Sequence, residues 1–428
     1  MEKNHRDSSL FKWALIAVFL IAAMIRVYLA PLPGNVSDMD HFVRWTKAAT
    51  QDGVPFVYAT THSDYPPGLF YFLKPVGWIY HRFFSSSFDD TTTLRTLLKF
   101  PAVVADLATA ALLFLFLRKW KSERIAFWVA TSYALNPAVI YESAYWGQVD
   151  AVNTLFMVAS VLFLMRRKIE LSWVALTIAF LIKMHAVVVA PVIFFASLKY
   201  YPWKRILKAA VLSSLAAIIL LSPFIYHNQI DRAKDAYTTA VARYPYVSVN
   251  AFNLWWLSQP LKVQKMEAPY YDGRRDDVPV LAGITCKQFG FLALGIFTLL
   301  TIVILNRTGD PYTIAFAAFA LTFAFYVLPT EIHERYMFPA LAFLSVVYCH
   351  NRRFIMMYAA LTLTFLINLQ VLPFSDPRSA LLTRIISAPA AVPFLSTITA
   401  LLNVIIFCYL IFYIFGELTK GPRTLPSN

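Results

Sequence analysis

FKWALIAVFLIAAMIRVYLA, residues 11–30, is apolar over the length of about 20 residues that a helix needs to cross a hydrocarbon core. Lys3, Arg6 and Lys12 lie before it, which predicts an uncleaved signal anchor with a cytoplasmic N-terminus. Ala30 is small enough to precede a cleavage site, but Arg26 interrupts the approach to it. Further apolar runs at 96–117, 125–140, 151–165, 171–182, 186–198, 208–226, 281–305, 311–329, 336–349, 354–373 and 393–416 bring the total to twelve. The chain of 428 residues is 59% hydrophobic and 14% charged, against about 45–50% and about 25% for a soluble domain. A soluble enzyme is excluded. The pattern predicts one integral, all-α domain over 1–428 in place of several soluble ones.

A net charge of +14, from 38 Lys and Arg against 24 Asp and Glu, raises the question of a nucleic-acid partner. Position along the chain answers it. Alternating from a cytoplasmic start, the inner segments are 1–12, 118–124, 166–170, 199–208, 306–310, 350–353 and 417–428, and they hold half of the basic residues. The basic excess therefore sets orientation, with both termini cytoplasmic and no nucleic acid as partner. The runs 171–182 and 186–198 are short, about 18–20 Å at 1.5 Å per residue. Fusing them would turn Lys199, Lys204, Arg205 and Lys208 outward, against the charge rule. Cys286, Cys349 and Cys408 form no CxxC pair and have no His at metal-ligand spacing, so neither a disulfide framework nor a zinc site is expected.

Two outer segments, 31–95 and 227–280, are too long for plain connections and are where function is expected. Asp40–Gln51 reads as an interfacial amphipathic helix, with Phe42, Trp45 and Ala49 on one face, Gly53 as its stop, and Ser37 and Asp38 as candidate N-caps. Pro67–Phe84, interrupted by Pro75 and Arg82, reads as a second interfacial helix. Polar residues gather on the same outer side: SDMDHFVRW at 37–45, DYPPG at 64–68, YESAYWGQVD at 141–150, KMH at 183–185, VNAFNLWW at 249–256 and HERYMFP at 333–339. Ionisable groups at such depths are costly unless paired or used.

In this order and on one shared side, Asp38 with Trp45 seven residues on, DYPP, WGQVD and HERYMFP resemble the GT-C superfamily of integral-membrane glycosyltransferases. The likeness is to bacterial proteins related to the second mannosyltransferase of GPI-anchor assembly, and more loosely to the dolichol-linked glucosyltransferases of N-glycan assembly. It implies a GT-C-like bundle of about 12 transmembrane helices with interfacial helices in the first outer loop. It also implies an extracytoplasmic site in a bacterial inner membrane and transfer of a sugar, mannose by family, from a polyprenyl-phosphate carrier to a glycan or lipid-linked acceptor. The family's catalytic acidic residue falls by motif on Asp38.

The chemistry is consistent with a single carboxylate. Displacing phosphate from C1 of a sugar needs one base on the acceptor hydroxyl, because the leaving group is already good, whereas a glycosidase needs a second carboxyl acid. No metal or cofactor is required by this scheme. Asp38 is the expected base, with N-capping as its plainer role; Asp40 is the alternative, with a favourable helix-dipole position as its plainer role. Lys183, His185, His333 and Arg335 are the expected donor-phosphate ligands, against snorkelling for Lys183, a satisfied buried ring for His185 and a Glu334–Arg335 pair. Arg26 reads as a snorkelling anchor or a further phosphate contact. Asp64, Tyr65, Glu142, Trp146, Gln148, Asp150 and Asn250 are the expected substrate contacts. For Asp64 the rival is a helix cap; for Tyr65 and Trp146, an aromatic belt; for Asn250 and Asn253 beside Trp255 and Trp256, packing. A transporter or a flippase of lipid-linked sugars is the rival function, although no internal repeat is evident and Gly is only 12 of 428.

Overall fold

The structure is a computed structural model that describes residues 2–89, 91–239, 243–265, 268–308, 310–371 and 392–419, with side chains from residue 11 except at 371, 392 and 393. Each of the twelve apolar runs forms a helix over most of its length, residues 372–373 of the run 354–373 lying outside the described residues: Glu2–Leu29, Thr92–Leu117, Glu123–Ala134, Asp150–Met165, Ile169–Ile182, Ala190–Tyr200, Trp203–Tyr226, Cys286–Arg307, Tyr312–Val327, Phe338–His350, Ile355–Val371 and Val392–Thr419. Six of the described helices are long and apolar enough to cross a membrane: Phe11–Leu29, Thr92–Leu117, Trp203–Tyr226, Cys286–Arg307, Arg352–Gln370 and Phe394–Thr419. Of the last inner segment, 417–428, only 417–419 fall within the described residues.

Several boundaries differ from expectation, each for a local reason. The run at 125–140 breaks after Ala134, where the Asn136 side chain accepts from the Ala138 and Val139 N–H groups and starts a new turn at Pro137. The run at 281–305 begins in a hairpin, Pro279–Leu281 pairing with Ile284–Thr285, and the helix starts only at Cys286 under a Thr285–Gln288 capping box. The short runs at 171–182 and 186–198 stay separate, broken at Lys183.

One compact unit comprises 1–162, 170–186 and 208–239. Its core lies where the amphipathic helix Val36–Gln51 packs on Phe70–Phe83, burying Phe42, Trp45, Ala49, Phe70, Leu73 and Tyr80. That helix starts earlier than its apolar pattern suggests. Neither Ser37 nor Asp38 caps it: the Asn35 side chain does, accepting from the Asp38 N–H at 3.1 Å. Asp64 likewise does not cap the segment after it, whose cap position is held by Pro66 with no side-chain bond. Arg26 neither snorkels nor lies open to a phosphate. It is fully buried and paired with Asp106 at 3.3 Å, and it donates to the Ala134 carbonyl at 2.8 Å.

The second unit comprises 163–169, 187–207 and 240–428. Tyr312–Val327 and Phe338–His350 are apolar all round and almost wholly buried, as interior helices should be. Asn368 ties the segment 250–252 to the helices of this unit: its Oδ1 accepts from the Phe252 N–H and the Tyr326 hydroxyl, and its Nδ2 donates to the Asn250 carbonyl at 2.8 Å.

Candidate active site

Because Asn35 takes over the capping, the Asp38 carboxylate is available for other partners. Its Oδ2 accepts from the Trp146 indole N–H at 2.7 Å and from the Gln148 amide at 2.6 Å. Its Oδ1 accepts no hydrogen bond among the described residues, and the side chain is half-buried. Gln148 is oriented in turn, its Oε1 accepting from the Tyr65 hydroxyl at 3.2 Å. Tyr65 packs edge-on to Phe42 and tilted against Trp45, and its carbonyl accepts from the Tyr58 hydroxyl at 2.7 Å. Burial, then Tyr237 and Asp64, push the Tyr58 hydroxyl well above its ordinary value, so it stays a neutral donor.

The Tyr65 ring leads on to the basic residues. The Lys183 ammonium lies 5.5 Å from its centroid and donates to both Asp150 oxygens, at 2.7 and 2.6 Å. Asp150 opens the helix Asp150–Met165, and Asn153, three residues on and therefore on the same face, meets the His185 Nε2 at 3.0 Å. His185 Nε2 is also 3.9 Å from Asp150 Oδ1. One connected set of contacts thus runs from Asp38 through Gln148, Tyr65, Lys183 and Asp150 to His185, all within the first unit.

The donors to Asp38 sit on an unusual turn. Residues Tyr141–Trp146 form a π-helical segment closed by Gly147 in the left-handed region at φ +91°. A β-carbon there would lie 2.6 Å from Met39 Cε. Gly147→Ala is expected to lower stability by about 1–2 kcal/mol through the backbone penalty alone, read as a lower thermal midpoint; an unchanged midpoint would show that the turn relaxes freely.

The remaining expected residues have other partners. Asp40 lies two residues after Asp38, about 200° round the helix, and its carboxylate meets Arg95 at 2.6 Å. Glu142 is fully buried in the π segment. Asp64 lies near Tyr58. In the second unit, His333 forms backbone bridges with Val249 and Asn250, and its ring packs edge-on to Tyr244. Arg335 pairs with Glu334 at 2.8 Å. Burial, then Tyr244, Tyr246, Tyr271 and Glu334, push the nearby Tyr270 hydroxyl up to about 12, so it too is a neutral donor. Asn253 is buried as the cap of Leu254–Ser258, with Trp255 and Trp256 interior beside it.

Sequence reasoning missed Asn35, Arg95, Lys99 and Asn153. Asn153 carried a local signal in its spacing of three from Asp150, and Lys99 a weak one as a single charge in an apolar run. No group of three or more His, Cys, Asp or Glu side chains suited to a metal ion occurs among the described residues.

A family profile described as ALG3 protein matches residues 99–250, about a third of the chain. No curated protein sequence gives a significant match. The structure is similar to the crystal structure of ArnT from Cupriavidus metallidurans bound to undecaprenyl phosphate, with a TM-score of 0.52 at 14% identity over 96% of this chain and 77% of that one. It is more distantly similar to the Archaeoglobus fulgidus oligosaccharyltransferase tethered with an acceptor peptide, with a TM-score of 0.40 at 13% identity over 96% of this chain and 56% of that one.

Proposed function

We propose that this chain, which has the GT-C fold of integral-membrane glycosyltransferases, transfers a sugar from a polyprenyl-phosphate carrier to a glycan or lipid-linked acceptor, with inversion at C1. The observation that carries the proposal is the half-buried Asp38, with Oδ2 fixed by two N–H donors and Oδ1 left without a hydrogen bond among the described residues. A base that must take a proton from an arriving hydroxyl needs such an oxygen, held in one orientation.

In the reaction, the acceptor hydroxyl gives its proton to Asp38 Oδ1 as its oxygen bonds to C1. The C1–O bond to phosphate breaks, and its electron pair leaves with the polyprenyl phosphate. The leaving group gains one negative charge, which cationic N–H donors stabilise. Lys183 and His185 are the ligands proposed on the first unit; His333 and Arg335 keep the same role from their motif. Tyr65, Trp146, Gln148 and Asp150, with Asp64 and Glu142, are proposed to contact the sugar and acceptor on the first unit; Asn250 keeps the same role from its motif. ArnT, whose structure holds undecaprenyl phosphate, supports a carrier of that chemistry. Mannose follows from the motif resemblance. The positive-inside pattern supports cytoplasmic termini and an extracytoplasmic site, in a bacterial inner membrane.

The test is purified protein in liposomes, supplied with polyprenyl-phosphate mannose, glucose, galactose and pentoses plus an acceptor lipid extract. The expected result is one glycosylated product of inverted anomeric configuration and an equal amount of polyprenyl phosphate. No transfer from any donor, combined with movement of the lipid-linked sugar across the bilayer, would replace the proposal with a flippase.

A further inference from the structure

We infer that Lys99 is a positioning residue for the Asp38 carboxylate, acting through two backbone carbonyls; the inference rests on the assignment of Asp38 as the base. Lys99 lies in the helix Thr92–Leu117, and its side chain is fully buried. Its ammonium donates to the Leu32 carbonyl at 2.6 Å and to the Tyr145 carbonyl at 2.8 Å, acceptors 67 and 46 residues away in sequence. Among the described residues it has no carboxylate partner. Stripping an ammonium of water without a counter-ion is costly. Apolar packing at this depth would be met more cheaply by Met or Leu, so the amine, with its two carbonyl bonds, has a task that packing does not supply.

The two carbonyls identify that task. Leu32 leads into Gly34 and Asn35, the cap that relieves Asp38 of capping. Tyr145 leads into Trp146 and Gln148, the donors that hold Asp38 Oδ2. The two segments also touch directly, the Asn35 N–H donating to the Trp146 carbonyl at 3.2 Å. Gly34, at φ +70°, permits the approach: a β-carbon there would lie 2.6 Å from both the Trp146 and the Tyr145 carbonyl oxygens and 3.2 Å from Lys99 Nζ. The carboxylate and its orienting donors therefore share one anchor. A single amine nitrogen carries at least two N–H donors on one atom, which suits it to closing two loops at a single point.

The test compares Lys99→Met and Lys99→Gln with the unaltered full-length protein in nanodiscs, by transfer kinetics and by hydrogen–deuterium exchange. In Lys99→Met, kcat is expected to fall about 10²-fold, the loss that a displacement of about 1 Å produces, with the donor KM nearly unchanged. Deuterium uptake should rise in 32–38 and 141–148 and not elsewhere. Lys99→Gln, which keeps a donor, should recover part of both. Unaltered uptake in these segments, unaltered kcat in Lys99→Met, or a global loss of fold in both variants would overturn the inference. Asp38→Asn in the same assay separates the two readings: if it is active, the base assignment fails; if it is inactive while Lys99→Met is fully active, only the positioning role fails.

Discussion

Asp38→Asn is expected to lower kcat about 10³-fold while the donor KM stays within a factor of about three, the signature of an interaction made in the transition state alone. The substitution is nearly isosteric. An asparagine carbonyl oxygen can still accept from the Trp146 indole and the Gln148 amide, so the contacts on Oδ2 survive. What is lost is the second carboxylate oxygen, the one proposed to receive the proton. A 10³-fold loss corresponds to about 4 kcal/mol of transition-state stabilisation, more than either hydrogen bond to Asp38 contributes to folding. The thermal midpoint should therefore change little.

The matched control is Asp40→Asn. Asp40 is paired with Arg95, the two side chains being 42% and 15% exposed, and a pair that open to water is worth at most about 1 kcal/mol. Transfer by Asp40→Asn should stay within a few-fold of the unaltered rate. Steady-state kinetics on the two variants decides between the carboxylates. Equal losses would mean that the base is shared or lies elsewhere, and a severe loss in Asp40→Asn alone would move the assignment to Asp40.

How far the sequence exposes this arrangement depends on the distance over which each contact acts. The helices are legible because each run is apolar along its whole length, a signal that needs no knowledge of neighbours. The polar motifs are legible for the converse reason, since Gln148, Asp150 and Lys183 have no place on a lipid-facing surface. Motif order thus brings together Asp38, Tyr65, Trp146, Gln148, Asp150, Lys183 and His185, which the first unit joins in one network. The cap is not legible. Asn35, Ser37 and Asp38 can each cap a helix, and the choice falls to Asn35 through the turn at Gly34. Nor is Lys99, whose only signal is one charge in an apolar run; its partners are carbonyls, which every residue carries. The opposed faces of Asp38 and Asp40 become readable only once the helix is known to start at Val36.

Arg26 and Asp106, 80 residues apart, were equally hidden, and their pairing leads to the largest expected change in stability. Removing one member leaves the other charge buried without compensation, so Arg26→Met and Asp106→Leu should each destabilise the protein by about 3–5 kcal/mol. The double variant Arg26→Met/Asp106→Leu should regain much of that, because two apolar side chains of similar volume need no partner. Recovery should fall short of complete, since Arg26 also donates to the Ala134 carbonyl at the end of Glu123–Ala134, where the backbone has no helical donor of its own. Ser143 keeps a partner in either case, donating to the Val139 carbonyl at 3.0 Å as well as to Asp106. Denaturant unfolding in a single detergent, run as a double-mutant cycle, should therefore give a coupling of about 2 kcal/mol or more. Additive single losses would mean that the two charges are solvated separately. Because Ser143 lies within the π-helical turn that carries Trp146, Asp106→Leu should also lower transfer more than Arg26→Met does at equal loss of stability, linking this buried pair to the orientation of Asp38.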